Sequence, residues 1–369
     1  MFSKKKFARS LFQKYSLQRD TDARISVQEL EELRILYIKS IAVSAFIGVL
    51  FVLLYYIPIY LFPAFFNEHI LAIKFWGLDL EIRWIRELDN FLLTYIELYV
   101  LSILSIYMIQ RLASVLDFPS KESKYYTLHL ENIEQLSLEV AQKREKELGL
   151  NPFLGLSKFQ LFLFLLIARF KAMFSNMLIK FLLQRFASRF LLKTVIDLVG
   201  APVYAFWNAY ATAKLFKKSK YYIFSVELSD FLTEKLEKKD GISEDLRKEM
   251  QSILVSVVML KREYSEINHY FSTKMLETLN IQLEPHVHKP LKAKELNKVY
   301  SDETLRWIYL LFATGVILDG VISRRERKLI QEFTHNFPRD TNPLSQIDAF
   351  LNSYKRGKAV EFITEKNWI

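Results

Sequence analysis

The hydrophobic pattern of this chain is dominated by long apolar runs, and the longest sets the reading of the rest. Residues 40–66, SIAVSAFIGVLFVLLYYIPIYLFPAFF, contain no charged side chain and no histidine. At about 1.5 Å of rise per residue, a helix of this length exceeds the roughly 30 Å hydrocarbon core of a bilayer. Residues 91–110 repeat the pattern over twenty positions, with Glu97 as the sole charge. Together they predict a transmembrane helical hairpin. Between the spans, LDLEIRW (78–84) alternates Leu78, Leu80, Ile82 and Trp84 with Asp79, Glu81 and Arg83, the period of a half-exposed strand or of a strip on the bilayer surface. Two later runs, ILVSVVML (253–260) and WIYLLFATGVIL (307–318), are too short to span and predict core helices of a bundle.

A different pattern occupies residues 148–196, where seven basic side chains and no acid are spread among Phe and Leu. Lys158, Arg169, Lys171, Lys180, Arg185, Arg189 and Lys193 are the membrane-surface candidates. On a helix, Arg185, Arg189 and Lys193 form one stripe at spacing four, opposite Leu183, Phe186, Phe190 and Leu191, as in a helix lying in an anionic membrane surface. The run at 194–213, TVIDLVGAPVYAFWNAYATA, is long enough to cross a bilayer but holds Asp197, Gly200 and Pro202, and both of its flanks are basic. A single crossing would put one basic flank outside, so the expectation is a re-entrant or interfacial hairpin that includes 159–168, with a third span as the alternative.

The expected fold is therefore an all-α membrane protein: a transmembrane helical hairpin, basic interfacial or re-entrant helices, and a cytoplasmic helical bundle. Its segments are a basic N-terminal stretch (1–39), the hairpin (40–110), a polar helical linker (111–150), the basic membrane-associated helices (151–220) and a helical module (221–369).

Charge orients this arrangement. The net charge is +10, and the first nineteen residues carry Lys4, Lys5, Lys6, Arg9, Lys14 and Arg19 with no acid. Basic residues flank the cytoplasmic side of spans, which places the N-terminus, and with it the C-terminus, in the cytoplasm of a bacterial cell, in a multi-pass inner-membrane protein. About twenty mixed-charge residues separate the basic start from the apolar run, unlike a cleavable signal peptide. The chain has no cysteine, which removes disulfides, thiolate catalysis and Cys-based metal sites. Nucleic acid is not an expected partner, because the basic stretch is too rich in Phe and Leu to stay in water. Expected partners are membrane lipids with anionic headgroups, other membrane or cytoplasmic proteins, and further copies of the chain.

Four local patterns carry candidate chemistry. In QRDTDARISVQEL, Asp20, Asp22, Ile25, Ser26 and Glu29 fall in register with an EF-hand calcium loop, which the segment resembles, although Gln18 stands at the first ligand position and Ala23 replaces the turn glycine. The competing reading is a helix start in which Ser26 and Glu29 form a capping box. In LLFATGVILDGVISRRERKLIQEF (310–333), an apolar helix ends at Asp319-Gly320 and a second helix starts after Ile322-Ser323, with Glu326 three residues on. This resembles the helical repeat of TerB-like domains, over a segment of 301–336; the resemblance implies a cytoplasmic, membrane-associated stress-response module with an acidic metal-binding surface. Here Arg324, Arg325, Arg327 and Lys328 follow the turn instead of acids, so Asp319 and Glu326 are the remaining candidates for Ca2+ or another divalent cation, and the commoner role of Asp319 is to shape the turn. His286 and His288, bounded by Pro285 and Pro290, form a second candidate for metal. Glu97 and Asp197 are the intramembrane polar candidates; for Glu97 the choice lies between a proton or cation site facing a helix partner and, as favoured, a carboxylate near the headgroups. The segment VGAPVYAFWNAYATAKL also resembles part of a family of uncharacterised bacterial membrane proteins.

Phosphate-binding glycine loops, nucleophile elbows and H-E-x-x-H pairs are absent, so no enzyme is expected. The leading expectation is a membrane-anchored interaction or stress-response scaffold. A cation-responsive sensor and a subunit of an oligomeric transporter or channel are the alternatives.

Overall fold

The computed structural model describes residues 25–68, 70–75, 78–137, 157, 159, 193–238, 244–261, 265–281, 291, 300–335 and 343–368. The described chain is helical apart from one short β hairpin, and it divides into two compact units. The first comprises Met1–Tyr15, Glu31–Val115 and Lys158–Phe216, the second Ser16–Leu30, Leu116–Ser157 and Lys217–Ile369.

Two helices of the first unit, α1 (Val27–Leu61) and α3 (Trp84–Val115), are long and apolar enough to cross a membrane. Between them lie the single turn α2 (Pro63–Asn67) and an antiparallel hairpin of β1 (Ile70–Phe75) and β2 (Leu78–Arg83), in which Ile70 faces Arg83 and Phe75 faces Leu78. β2 is the segment whose alternation predicts a strand; its partner Ile70–Phe75 lacks that alternation. Pro58 lies inside α1, one turn before its end, without breaking the helix.

The third helix of this unit begins α5 (Lys193–Glu237), which runs 45 residues without interruption through the whole of 194–213. The other arm of the expected hairpin, 159–168, lies outside the described residues except for Phe159. Three contacts fix how α5 lies on α1. The Thr212 hydroxyl donates to Ser44 Oγ at 2.8 Å, the Tyr37 and Phe216 rings are 5.2 Å apart, and Gly48 faces the Tyr204 backbone. Numbers rise on one helix as they fall on the other, so the two are antiparallel. α3 returns alongside α1, with Arg86 Nε donating to the Tyr55 hydroxyl, and α3 therefore runs parallel to α5. Level with Ser44 as Thr212 is, α5 reaches at Lys193 the height at which α1 ends and α3 begins.

Gly48 is required by this approach. A Cβ at Gly48 would stand 2.8 Å from the Tyr204 carbonyl carbon, backbone that cannot rotate away. We expect Gly48→Leu to cost about 1–3 kcal/mol by overpacking, read as a lowered melting temperature of the detergent-solubilised protein, while Ile47→Leu has less effect.

The second unit packs α4 (Tyr126–Ser137), the second half of α5, α6 (Glu244–Lys261), α7 (Glu266–Thr278), α8 (Asp302–Ile317), α9 (Arg324–His335), α10 (Ile347–Lys355) and α11 (Ala359–Glu365). Helix α8 is its centre: from Trp307 to Leu318 every side chain is buried, and α6 comes so close that a Cβ on Gly315 would meet Val257 at 2.6 Å. Local chemistry starts the helices. Ser301 caps α8 by accepting from the Thr304 amide, with Asp302 and Glu303 favourable at the positive end of the helix dipole. Ser265 caps α7 in the same way. Tyr354 of α10, fully buried, shares its one hydroxyl proton between the carbonyls of Tyr221 (2.8 Å) and Leu318 (2.7 Å), which ties α5, α8 and α10 together.

Candidate functional site

The Asp-Gly turn after α8 is built as its sequence implies. Gly320 adopts φ +76°, with the Tyr221 ring filling the space a Cβ would need, and its amide donates to the Ile317 carbonyl at 2.7 Å. Asp319 Oδ1 accepts from the Val321 amide at 2.9 Å, and Ser323 with Glu326 closes a capping box over the start of α9. The turn brings Asp319 and Glu326 together, but on a lysine. Lys261, the last residue of α6, donates to Asp319 Oδ1 at 2.8 Å and to the Val321 carbonyl at 2.9 Å, and its ammonium lies 2.8 Å from Glu326 Oε1. Glu326 is 1% exposed and the Lys261 side chain 8%. A carboxylate buried so deeply is stable only with a partner charge, and the chain carries that charge itself. Among the described residues, no group of three His, Asp or Glu side chains is arranged to hold a metal ion. The sequence reading missed Lys261, which ends an apolar run but lies 58 positions before Asp319.

In the first unit, the three helices meet along a polar seam. Glu97 is buried and accepts from Asn208 Nδ2 at 2.8 Å; Ser44 and Thr212 pair one turn away, and Ser40 and Gln110 are buried near the far end. The outward faces carry the large apolar side chains, among them Phe46, Leu50, Leu54, Phe91, Leu98 and Phe206, all exposed. Exposed Lys39, Arg111 and Lys214 mark one end of this layer, and Glu68, Arg86, Glu87 and Asp89 the other. Asn208 gives Glu97 the helix partner that the less favoured reading of Glu97 requires. Asp197 lies eleven residues before Asn208 on α5, about 16 Å of helix rise, hence near the end marked by Arg86 rather than in the middle.

A third buried polar group lies in the second unit. His129, on α4, is enclosed by the rings of Phe118, Tyr125, Tyr222 and Tyr270. Asn132 Nδ2 donates to the Tyr222 hydroxyl at 2.8 Å, and the same hydroxyl shares a hydrogen bond of 2.9 Å with His129 Nδ1. Burial, with a smaller contribution from the Lys274 charge, pushes the imidazole down to about 3, and it stays neutral. Close by, Tyr270 donates to Asp230 at 2.7 Å, and Tyr125 and Lys124 both bond Glu277. Nothing in the sequence around His129 marks it; its hydrogen-bond partner Tyr222 and the Tyr270 ring come from more than ninety positions away.

Of the remaining candidates, Glu29 closes a capping box with Ser26, accepting from the Ser26 amide at 2.6 Å while the Glu29 amide donates to Ser26 Oγ at 3.1 Å. Asp20 and Asp22 lie outside the described residues, as do Lys158, Arg169, Lys171, Lys180, Arg185, Arg189, His286 and His288. Lys193 opens α5. Compared with protein-family models, with curated proteins and with solved structures, the chain has no match.

Proposed function

We propose that this chain is an integral protein of the bacterial inner membrane that holds a helical interaction module at the cytoplasmic face. The observation that supports it is the inverted distribution of side chains in the first unit. Glu97, Gln110, Ser40, Ser44 and Thr212 are inside, whereas Phe46, Leu54, Ile57, Phe91 and Leu98 face outward along helices long enough to span. In water that arrangement exposes apolar surface and buries polar groups at a cost on both sides; in hydrocarbon both are favourable. The basic end, Lys39, Arg111 and Lys214, is then cytoplasmic. On this reading α5 crosses the layer in the same direction as α3. The TerB-like turn belongs to the module, which we read as a scaffold for interaction or stress response and not as a cation sensor, because Lys261 already supplies the counter-charge to its buried carboxylate.

The natural absence of cysteine makes the test direct. Single cysteines replacing Glu68, Thr194, Lys214 or Arg325 are labelled with a membrane-impermeant maleimide before and after the cells are opened. Glu68→Cys and Thr194→Cys are expected to label in intact cells, the other two only in opened ones. Labelling of Thr194→Cys and Lys214→Cys from one side would overturn the crossing of α5. Release of the chain from membranes by alkaline carbonate would overturn the membrane reading altogether.

A further inference from the structure

Helix α9 opens with Arg324, Arg325, Glu326, Arg327 and Lys328, four cations around one acid. The positive end of a helix dipole favours acids, so this order works against the helix it starts. Glu326 is turned inward against Lys261, and Arg327 is held by Asp348 of α10 through hydrogen bonds of 2.7 and 2.9 Å. Arg324, Arg325 and Lys328 are exposed, and among the described residues no carboxylate pairs with them. At positions i, i+1 and i+4 they share about 100° of the helix circumference, with Arg324 and Lys328 one turn, about 6 Å of rise, apart. Val321, in the turn before the helix, is 59% exposed, and Gln331 continues the face one turn further on.

A local rule broken with no gain to the fold marks a surface kept for something outside it. The same helix turn supplies the template for what that is. Arg327 meets the Asp348 carboxylate with both terminal nitrogens, the fork by which a guanidinium matches a carboxylate. Arg324 and Arg325 carry the same fork on the exposed side, with the Lys328 ammonium between them and the next turn. We propose that the face of Arg324, Arg325 and Lys328 is the docking surface of the helical module, and that it takes an acidic segment of a partner protein. The carboxylates of that segment stand about 6–7 Å apart, as they do two residues apart on a strand or four apart on a helix, and an apolar side chain beside them lies against Val321. Resting on the scaffold reading above, this surface gives the partner its chemistry.

Because the chain has no cysteine, one environment-sensitive dye on Gln331→Cys reports on this face alone. The full chain is placed in nanodiscs of phosphatidylcholine and titrated with the synthetic peptide Leu-Ser-Glu-Ser-Glu-Ser-Glu. A saturable dye response is expected, with none to the same peptide carrying Gln for Glu and none from a dye on Glu244→Cys, at the far end of α6 from Lys261. Arg324→Gln/Arg325→Gln/Lys328→Gln should weaken binding about tenfold, two- to threefold per charge. Val321→Ser should weaken it about threefold, and only for the peptide that carries the leucine. A silent dye on Gln331→Cys, or equal binding by the folded triple variant, would overturn the proposal. So would a dye shift on exchanging phosphatidylcholine for phosphatidylglycerol without any response to the peptide, which would make the face a lipid contact. The triple variant should keep the carbonate resistance and maleimide sidedness of the wild type, so failure of this surface and failure of the membrane reading are told apart.

Discussion

Lys261→Met is expected to destabilise the second unit by about 3–5 kcal/mol, the largest loss of any single substitution considered. The methionine keeps the length and the apolar contacts of the side chain, so packing changes little. What is lost is the ammonium between Asp319, Glu326 and the Val321 carbonyl. Asp319 is partly exposed and recovers water; Glu326, at 1% exposure, does not, and an uncompensated buried carboxylate supplies most of the loss. Adding Glu326→Gln to Lys261→Met should restore part of the stability, because the amide needs no counter-charge. Denaturant titration of the detergent-solubilised chain, followed by tryptophan fluorescence, reads both effects. The same titration of the wild-type chain should give one midpoint with Ca2+ or with EDTA; a shift of the midpoint by Ca2+ would mean that the turn recruits a metal despite Lys261.

The second large effect is acid lability. The imidazole of His129 is held near 3 in the fold, while in the unfolded chain it titrates near 6.5. Below 6.5 the unfolded state therefore binds a proton that the folded state refuses. The stability that comes from keeping the ring neutral is fully present above pH 6.5 and is lost as the pH falls toward 3. At about 1.4 kcal/mol per pH unit, the loss reaches roughly 2 kcal/mol at pH 5, before most carboxylates titrate. His129→Phe keeps a ring among Phe118, Tyr222 and Tyr270 and leaves Asn132 on the Tyr222 hydroxyl. It should cost about 1 kcal/mol at pH 7.5 through the lost hydrogen bond, and flatten the slope between pH 7 and 5. An unchanged slope in the variant would assign the acid lability to another group.

How much of this was legible in the sequence follows from the range of the forces involved. Helices α1 and α3 were readable because apolar runs of twenty or more residues need no knowledge of a partner. The capping boxes at Ser26–Glu29 and Ser323–Glu326 were equally plain, since both partners lie within one turn. The groups that decide the chemistry were not. Lys261 meets Asp319 across 58 positions, and Tyr222 reaches His129 across 93. Such pairings depend on how α4 to α8 pack, which no local periodicity records. The backbone of 194–213 is a separate case. Asp197, Gly200 and Pro202 read as interruptions, yet α5 continues through them.

The Glu97–Asn208 hydrogen bond joins residues 111 positions apart. A ribosome adding about 5–20 residues per second needs roughly 6–22 s to make that interval. During this time α1 and α3 are already available for insertion, and the carboxyl group of Glu97 has no carboxamide to meet it. On the membrane reading proposed above, the hairpin waits in the bilayer with its seam open, and the arrival of α5 completes it. Mutations at Asn208 would then show first as slow or failed maturation of newly made chains, before any fault in the finished protein.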